Sequence, residues 1–281
     1  MEQLTIQLAN GLVAGTTIAL TALGLTLVFG IMHIVNLSHG EFYMMGAYLT
    51  WATNTIVHNF WISVVVATIV TALIGGTLLL AFSKKLANTG PLRWALLTLG
   101  FGYVLRELVQ LVFGTDFKLV NPPIEGNLPW LGGLYRLTVT FLSISLIVGL
   151  TLFLSRSRYG VLIRAIASNP EAAVVVGVSP RAVYTWVALI SAGLAGAAGA
   201  FMLPVTSAYP TMGLEILIMT FVVVVVGGMG NIRGALLASL AAGVLQALLI
   251  LVMRPSIATI VVLIAFMTVL VVRKEGARWL W

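Results

Sequence analysis

Nine long apolar runs separated by short polar breaks fill most of the chain: residues 8–29, 40–57, 61–82, 92–113, 137–154, 182–203, 213–229, 235–252 and 256–272. Each approaches the roughly 20 apolar residues that an α-helix needs to cross the hydrocarbon core of a bilayer. The pattern predicts an all-α fold, a polytopic transmembrane bundle of eight or nine helices, and a single transmembrane domain over residues 1–281. The break between the seventh and eighth runs, GGMGNIRG at 227–234, is very short. It is either a tight turn between two crossings or a re-entrant turn, which lowers the count to eight.

Composition agrees with the pattern. Of 281 residues 60% are hydrophobic and 8% charged, against about 45–50% and about 25% in soluble domains. So few charges cannot cover a water-facing surface, and no sizeable soluble domain is expected. With no cysteine, disulfide, thiolate-metal and thiol redox chemistry are excluded. Met1-Glu2-Gln3 lacks the basic region of a cleaved secretory signal, so the first apolar run is expected to remain in the protein.

The net charge of +7 is scattered between apolar runs, which argues against nucleic acid and for topology signals. Lys84, Lys85 and Arg93 flank one short loop, Arg156, Arg158, Arg164 and Arg181 another, and Arg273, Lys274 and Arg278 form a tail. The excess of Lys and Arg on cytoplasmic loops places all three inside. The amino terminus is then outside and the carboxyl terminus inside. The 115–136 segment, with Asn121, Pro122, Pro123 and Pro129, is the substantial external loop.

Polar groups inside the apolar pattern mark candidate chemistry. The segment FGIMHIVNLSHGEFYMMGAY at 29–48 carries His33, Asn36, Ser38, His39 and Glu41 with almost no hydrophilic loop around them. Irregular backbone and ionisable groups at membrane depth are tolerated where they face protein or a water-filled cavity. A helix amino terminus near Ser38 or His39 would stabilise the Glu41 carboxylate through its dipole. Asn36, Ser38 and Glu41 then either satisfy freed backbone groups or take part in a pathway. A second helix break is expected at Gly227, Gly228, Gly230, Asn231 and Gly234. Two breaks in different halves hint at internal duplication, as in inverted-repeat transporters.

Arg106 and Glu107, in the fourth run, and Glu215, near the outer end of the seventh, are costly in lipid unless paired or turned inward. Adjacent helical residues point apart, so Arg106 and Glu107 are expected to find neutralising partners on other helices. Ala192, Gly196 and Ala200 stand four apart, as do Ala195 and Gly199, a spacing that lets helix backbones approach closely.

The longest break on the basic side, 158–183, reads as a short helix: Ser168 and Glu171 have capping-box spacing, Pro170 suits a first turn and Gly177 an end. Such a helix is either an amphipathic connector or the point at which a separate motor protein pushes.

GLTLVFGIMHIVNLSHGEFYMMGAYLTW at 24–51 closely resembles the amino-terminal signature of the branched-chain amino acid ABC permeases, in particular their H-type membrane subunit. Arg158-Tyr159-Gly160, Arg164-Ala165, the 168–177 segment and GGMGNIRGALLAS at 227–239 look like further blocks of that family, in order. The resemblance implies import across the cytoplasmic membrane of a prokaryote. It also implies a sister permease, two cytoplasmic ABC ATPases that carry the ATP and Mg²⁺, and an extracytoplasmic amino-acid-binding protein. It leaves this chain without a cofactor or metal of its own. It nominates Asn36, Ser38, His39, Gly40, Glu41 and Tyr43 for the translocation pathway. For ATPase coupling, within a loop at 158–181, it nominates Arg164, Ser168, Asn169, Pro170, Glu171, Ala172 and Gly177.

The substrate stays open, because urea and short-chain amide permeases share the signature type. No G-x-x-x-x-G-K-[ST] phosphate loop occurs, so energy is expected from another chain. The competing class, an ion-coupled carrier, would rest on Glu41 and Glu215 as titrating carboxylates. An intramembrane enzyme is disfavoured because His33, His39 and His58 lack H-E-x-x-H spacing.

Overall fold

The computed structural model describes residues 2–86, 90–128 and 132–272. Among these, eleven α-helices form: α1 (Glu2–Met32), α2 (His39–Val57), α3 (Phe60–Leu86), α4 (Pro91–Phe113), α5 (Leu134–Arg156), α6 (Arg158–Ser168), α7 (Pro170–Val175), α8 (Pro180–Thr206), α9 (Met212–Gly227), α10 (Ile232–Leu249) and α11 (Pro255–Val272). The all-α reading holds. Its one addition is a pair of two-residue antiparallel strands, β1 (Asn127–Leu128) and β2 (Gly132–Gly133), in the Pro-rich loop. Each apolar run forms its own helix, with α9 and α10 separated by the turn at 227–234. Expectations resting on Pro129, Arg273, Lys274 and Arg278 lie outside the described residues.

Seven of the described helices, α1, α3, α4, α5, α8, α10 and α11, are long and apolar enough to cross a membrane. The two other long helices fall short for different reasons. α2 carries too many polar residues, and α9 spans 16 residues, about 24 Å.

α1 and α8 form the centre, with 83% and 78% of their most apolar stretch buried, against 17% for the peripheral α11. Close approach makes this possible. A Cβ on Gly46 of α2 would run into the Gly196 carbonyl of α8, and one on Gly199 into the carbonyl of Tyr43. Gly11 and Gly15 likewise meet Gly243 and neighbouring backbone of α10. Where lipid and side chain are equally apolar, such backbone contact and its dispersion supply the association that hydrophobic burial supplies in water.

The helices leave two ends. One gathers the α4–α5 loop, the end of α8 and the α10–α11 turn; the other, the basic end, gathers Arg156, Arg158, Arg164, Arg181 and Arg233. The basic-end loop differs in detail from expectation. Residues 158–168 form their own helix, capped by Ser157, whose Oγ accepts from Gly160 N at 2.9 Å. The cap of α7 is Asn169 rather than Ser168: its Oδ1 accepts from Ala172 N at 2.9 Å. Ser168 still completes the last turn of α6, and the chain becomes extended only at Asn169 (φ −156°), the geometry a cap requires. Gly177, at φ +86°, closes α7 as expected, with Val178 N donating to Ala173 O at 3.0 Å.

Candidate functional site

α1 ends at Met32, His33 turns the chain in the left-handed region (φ 53°), and residues 33–38 run back into the protein without helix. The depth they reach is fixed by His39, whose Nε2 donates to Thr21 O at 2.9 Å. Thr21 lies eleven residues before the end of α1, about 16 Å back along its axis, so α2 starts in the interior.

Side chains satisfy the exposed backbone on the way. Thr98 of α4 accepts from Leu37 N at 3.0 Å, and Asn36 Oδ1 accepts from Ser38 N at 3.1 Å and Ser38 Oγ at 2.7 Å. Without them the desolvated amides would lack partners.

A second chain reversal mirrors the first. α8 ends at Thr206, Ser207 adopts φ 64°, and Ala208 exchanges two 2.9 Å backbone hydrogen bonds with Lys118 of the α4–α5 loop. α9 then starts at Met212, directly against the start of α2. A Cβ on Gly40 would run into the Gly213 carbonyl. One on Gly213 would lie 2.9 Å from Gly40 O and 2.5 Å from Glu41 Oε2. Two helix amino termini therefore meet inside the bundle and run to opposite ends.

Neither terminus has a side-chain cap: Ser38 and Thr211 make no such bond. Their positive ends face Glu41, which is 2% exposed and lies in the first turn of α2. Glu41 pairs with Arg106 of α4 through Oε1, while Oε2 sits beside the first turn of α9. One carboxylate thus neutralises a guanidinium and faces two helix dipoles. Arg106 also stacks on Tyr103, 5.3 Å from the ring centre. The expected partner of Arg106 on another helix is therefore Glu41, whereas Glu107 faces outward with Gln110 Nε2 at 3.5 Å.

The second interior break falls at 207–211 and not at 227–234. GGMGNIRG is a tight turn at the basic end: Gly228 and Gly230 have φ 97° and 84°, and Asn231 caps α10 by accepting from Gly234 N at 3.1 Å. Glu215 lies, as expected, at the end of its helix away from the basic end, but that first turn of α9 starts inside the bundle. The signal that marks this start is Tyr209-Pro210-Thr211 followed by Gly213 and Glu215, an echo of Ser38, Gly40 and Glu41.

Of the residues nominated for a pathway, Asn36, Ser38, His39, Gly40 and Glu41 are enclosed by protein. Tyr43, by contrast, lines a cavity. That cavity holds about 250 Å³, lined by Thr17, Tyr43, Tyr209, Glu215 and Gln246 together with Met202, Met212 and Met219. It adjoins one of about 280 Å³ at the Pro-rich end, which shares Ala14, Met202 and Gln246 and adds Gln7, Asn10 and Arg136. At the basic end, cavities of about 430 Å³ and 590 Å³ share Gly30, Ala167 and Gly230. Between the two pairs the path is closed by packed side chains, among them Ile18, Ala22, Leu25, Met219 and Val223.

The coupling candidates lie at the basic end. Arg164 lines a cavity there with Gly230 and Arg233, while Ser168, Asn169, Pro170, Glu171, Ala172 and Gly177 are exposed. Val174, Val175 and Val176 beside them are 51%, 87% and 77% exposed, an apolar tip that the sequence reading did not single out.

Residues 7–272 match the family model of the permease component of branched-chain amino acid transport systems. A high-affinity branched-chain amino acid transport permease, BraD of Pseudomonas aeruginosa, is 29% identical over 259 residues, covering 86% of this chain and 84% of the relative. LivH of Escherichia coli K12 is 26% identical over 262 residues with the same coverage. A probable LivH of Methanocaldococcus jannaschii is 28% identical over 257 residues, 86% of this chain and 80% of its own. No solved structure matches the chain.

Proposed function

The chain belongs to the branched-chain amino acid transport permease family, and on that premise we propose that it is one membrane-spanning half of an ATP-driven importer of branched-chain or other hydrophobic amino acids. The observation that carries the reading is the junction of α2 and α9 inside the bundle, beside a cavity that adjoins another at the Pro-rich end and is separated by packed side chains from the cavities at the basic end. A solute path of this kind needs two arrangements, and the meeting point of two oppositely directed half-buried helices is where a small shift exchanges them.

The Pro-rich end faces outside and receives solute from an extracytoplasmic binding protein, and the basic end faces the cytoplasm in accord with its Arg residues. The α6–α7 loop is the contact for one of two ABC ATPases, which hold ATP and Mg²⁺. Its exposed Val174, Val175 and Val176 offer an apolar knob, and Asn169 and Gly177 hold the short helix in shape. A sister permease completes the path on the other side.

The test is leucine uptake into proteoliposomes that contain this chain with its sister permease, ATPases and receptor. Uptake that requires ATP hydrolysis is the expected result. Accumulation by the chain alone under an ion gradient would replace this reading with ion-coupled transport.

A further inference from the structure

Glu215 is an anomaly for a bundle in lipid. It is exposed within the protein's own cavity, at a depth set by Tyr43, Thr17 and Ile18. Among the described residues the one ion pair is Glu41–Arg106, so Glu215 has no cation. A charge held at such depth without a partner is costly and marks a functional position.

Its hydrogen bonds leave room for one. Tyr209 Oη donates to Oε2 at 2.8 Å and Thr211 Oγ1 to Oε1 at 3.2 Å. A carboxylate accepts about four hydrogen bonds, so both oxygens keep capacity for a further donor. The remaining lining includes apolar and adaptable side chains: Met202, Met212, Met219, Ile18 and Ile216. Thioether side chains repack around differently branched groups at little cost. At about 250 Å³ the space falls just below the roughly 300–1,000 Å³ of sites for drug-sized ligands, which suits one amino acid and excludes a peptide.

We propose that this cavity is the transport-path binding site of the permease, with the substrate's ammonium on the Glu215 carboxylate and its aliphatic side chain among Met202, Met212 and Met219. The site rests on the import reading above. It makes the permease itself selective for the ammonium group and tolerant among branched side chains.

This chain has no cysteine, so an introduced one is its single thiol for labelling. Ile216→Cys is placed in the assembled, nucleotide-free transporter in nanodiscs, and its labelling by a small methanethiosulfonate is timed. Leucine slows labelling, 4-methylpentanoate, which lacks the ammonium, does not, and sodium chloride alone does not. Adding Glu215→Gln leaves the unliganded labelling rate unchanged, because the amide oxygen still accepts from Tyr209 or Thr211. It raises the leucine concentration for half-protection about tenfold to a hundredfold, the loss of a charge-assisted hydrogen bond. Glu215→Asp, which keeps the charge, retains most of the protection.

Equal protection by 4-methylpentanoate or by sodium, or an unchanged half-protection concentration in Glu215→Gln, would overturn the assignment. So would absence of protection up to the solubility of leucine. If the Ile216→Cys transporter still imports leucine with ATP, that failure sinks the site alone. If no ATP-dependent import occurs in the cysteine-free protein, the import reading fails instead.

Discussion

Glu41 shows how much one residue can hold in a membrane interior. Its carboxylate joins α2 to Arg106 of α4 and faces the start of α9. Removing one partner of a buried pair strands the other, at about 3–5 kcal/mol. Glu41→Gln should therefore lower the unfolding temperature in detergent sharply. Glu41→Gln combined with Arg106→Gln should recover part of the loss, because no charge is then left alone. Equal stability of Glu41→Gln and the parent would mean that the pair contributes nothing. The sequence made Glu41 visible, since it stands after a glycine in an apolar run. Its partner, 65 residues away, was not identifiable, because local spacing says nothing of which helices touch.

Glycines divide the same way. A Cβ on Gly199 would overlap the Tyr43 carbonyl, whereas one on Gly100 meets nothing within 4 Å. Gly199→Ala should cost at least the about 1–3 kcal/mol of an overpacked contact. Gly100→Ala should be neutral or stabilising by up to about 1 kcal/mol through helix propensity. Thermal melts in one detergent check the packing: Gly199→Ala should melt lower than the parent and Gly100→Ala no lower.

At the scale of elements, α7 and α9 are the informative pair. α7 has six residues, too few to persist without help, and the Asn169 cap supplies part of it. Asn169→Ala should cost about 1 kcal/mol locally and raise hydrogen exchange across 170–178, leaving the bundle unchanged. Glu171→Arg places a cation at the same positive helix end, a dipole effect of only about 0.3–1 kcal/mol. Failure of the ATPases to co-purify with it would thus report a lost contact with the partner, and intact co-purification would count against docking at this loop. The existence of this helix was legible from Pro170 and Gly177. Its cap was displaced by one residue because Ser168 and Asn169 are both able caps, and only the backbone at Asn169 turns extended.

α9 was harder to read. Its apolar run merges with the turn at 227–234, and the glycines there look like an interior break although they form an end turn. The true interior start, after Thr211, is marked by Pro210 and Gly213 in a short polar break between apolar runs. Its depth is set by contact with Gly40, information carried by the fold and not by either segment.

For the whole molecule, the all-α bundle and the spacing of its apolar runs followed from the scarcity of charge, because lipid permits few other backbones. The cavity at Tyr43 and Glu215 did not follow. It gathers residues of α1, α2, α8, α9, α10 and α11 that no periodicity links. What results is a pair of cavities at each end, separated by packed side chains beside two meeting helix starts. The sidedness of labelling at Met202→Cys tests it most directly, in the assembled transporter reconstituted in vesicles. Without nucleotide, an impermeant thiol reagent should reach Met202→Cys from the receptor side alone, and trapping the ATPases with nucleotide should shut off that access. Equal labelling from both sides, or access unmoved by nucleotide, would contradict a permease that alternates about this junction.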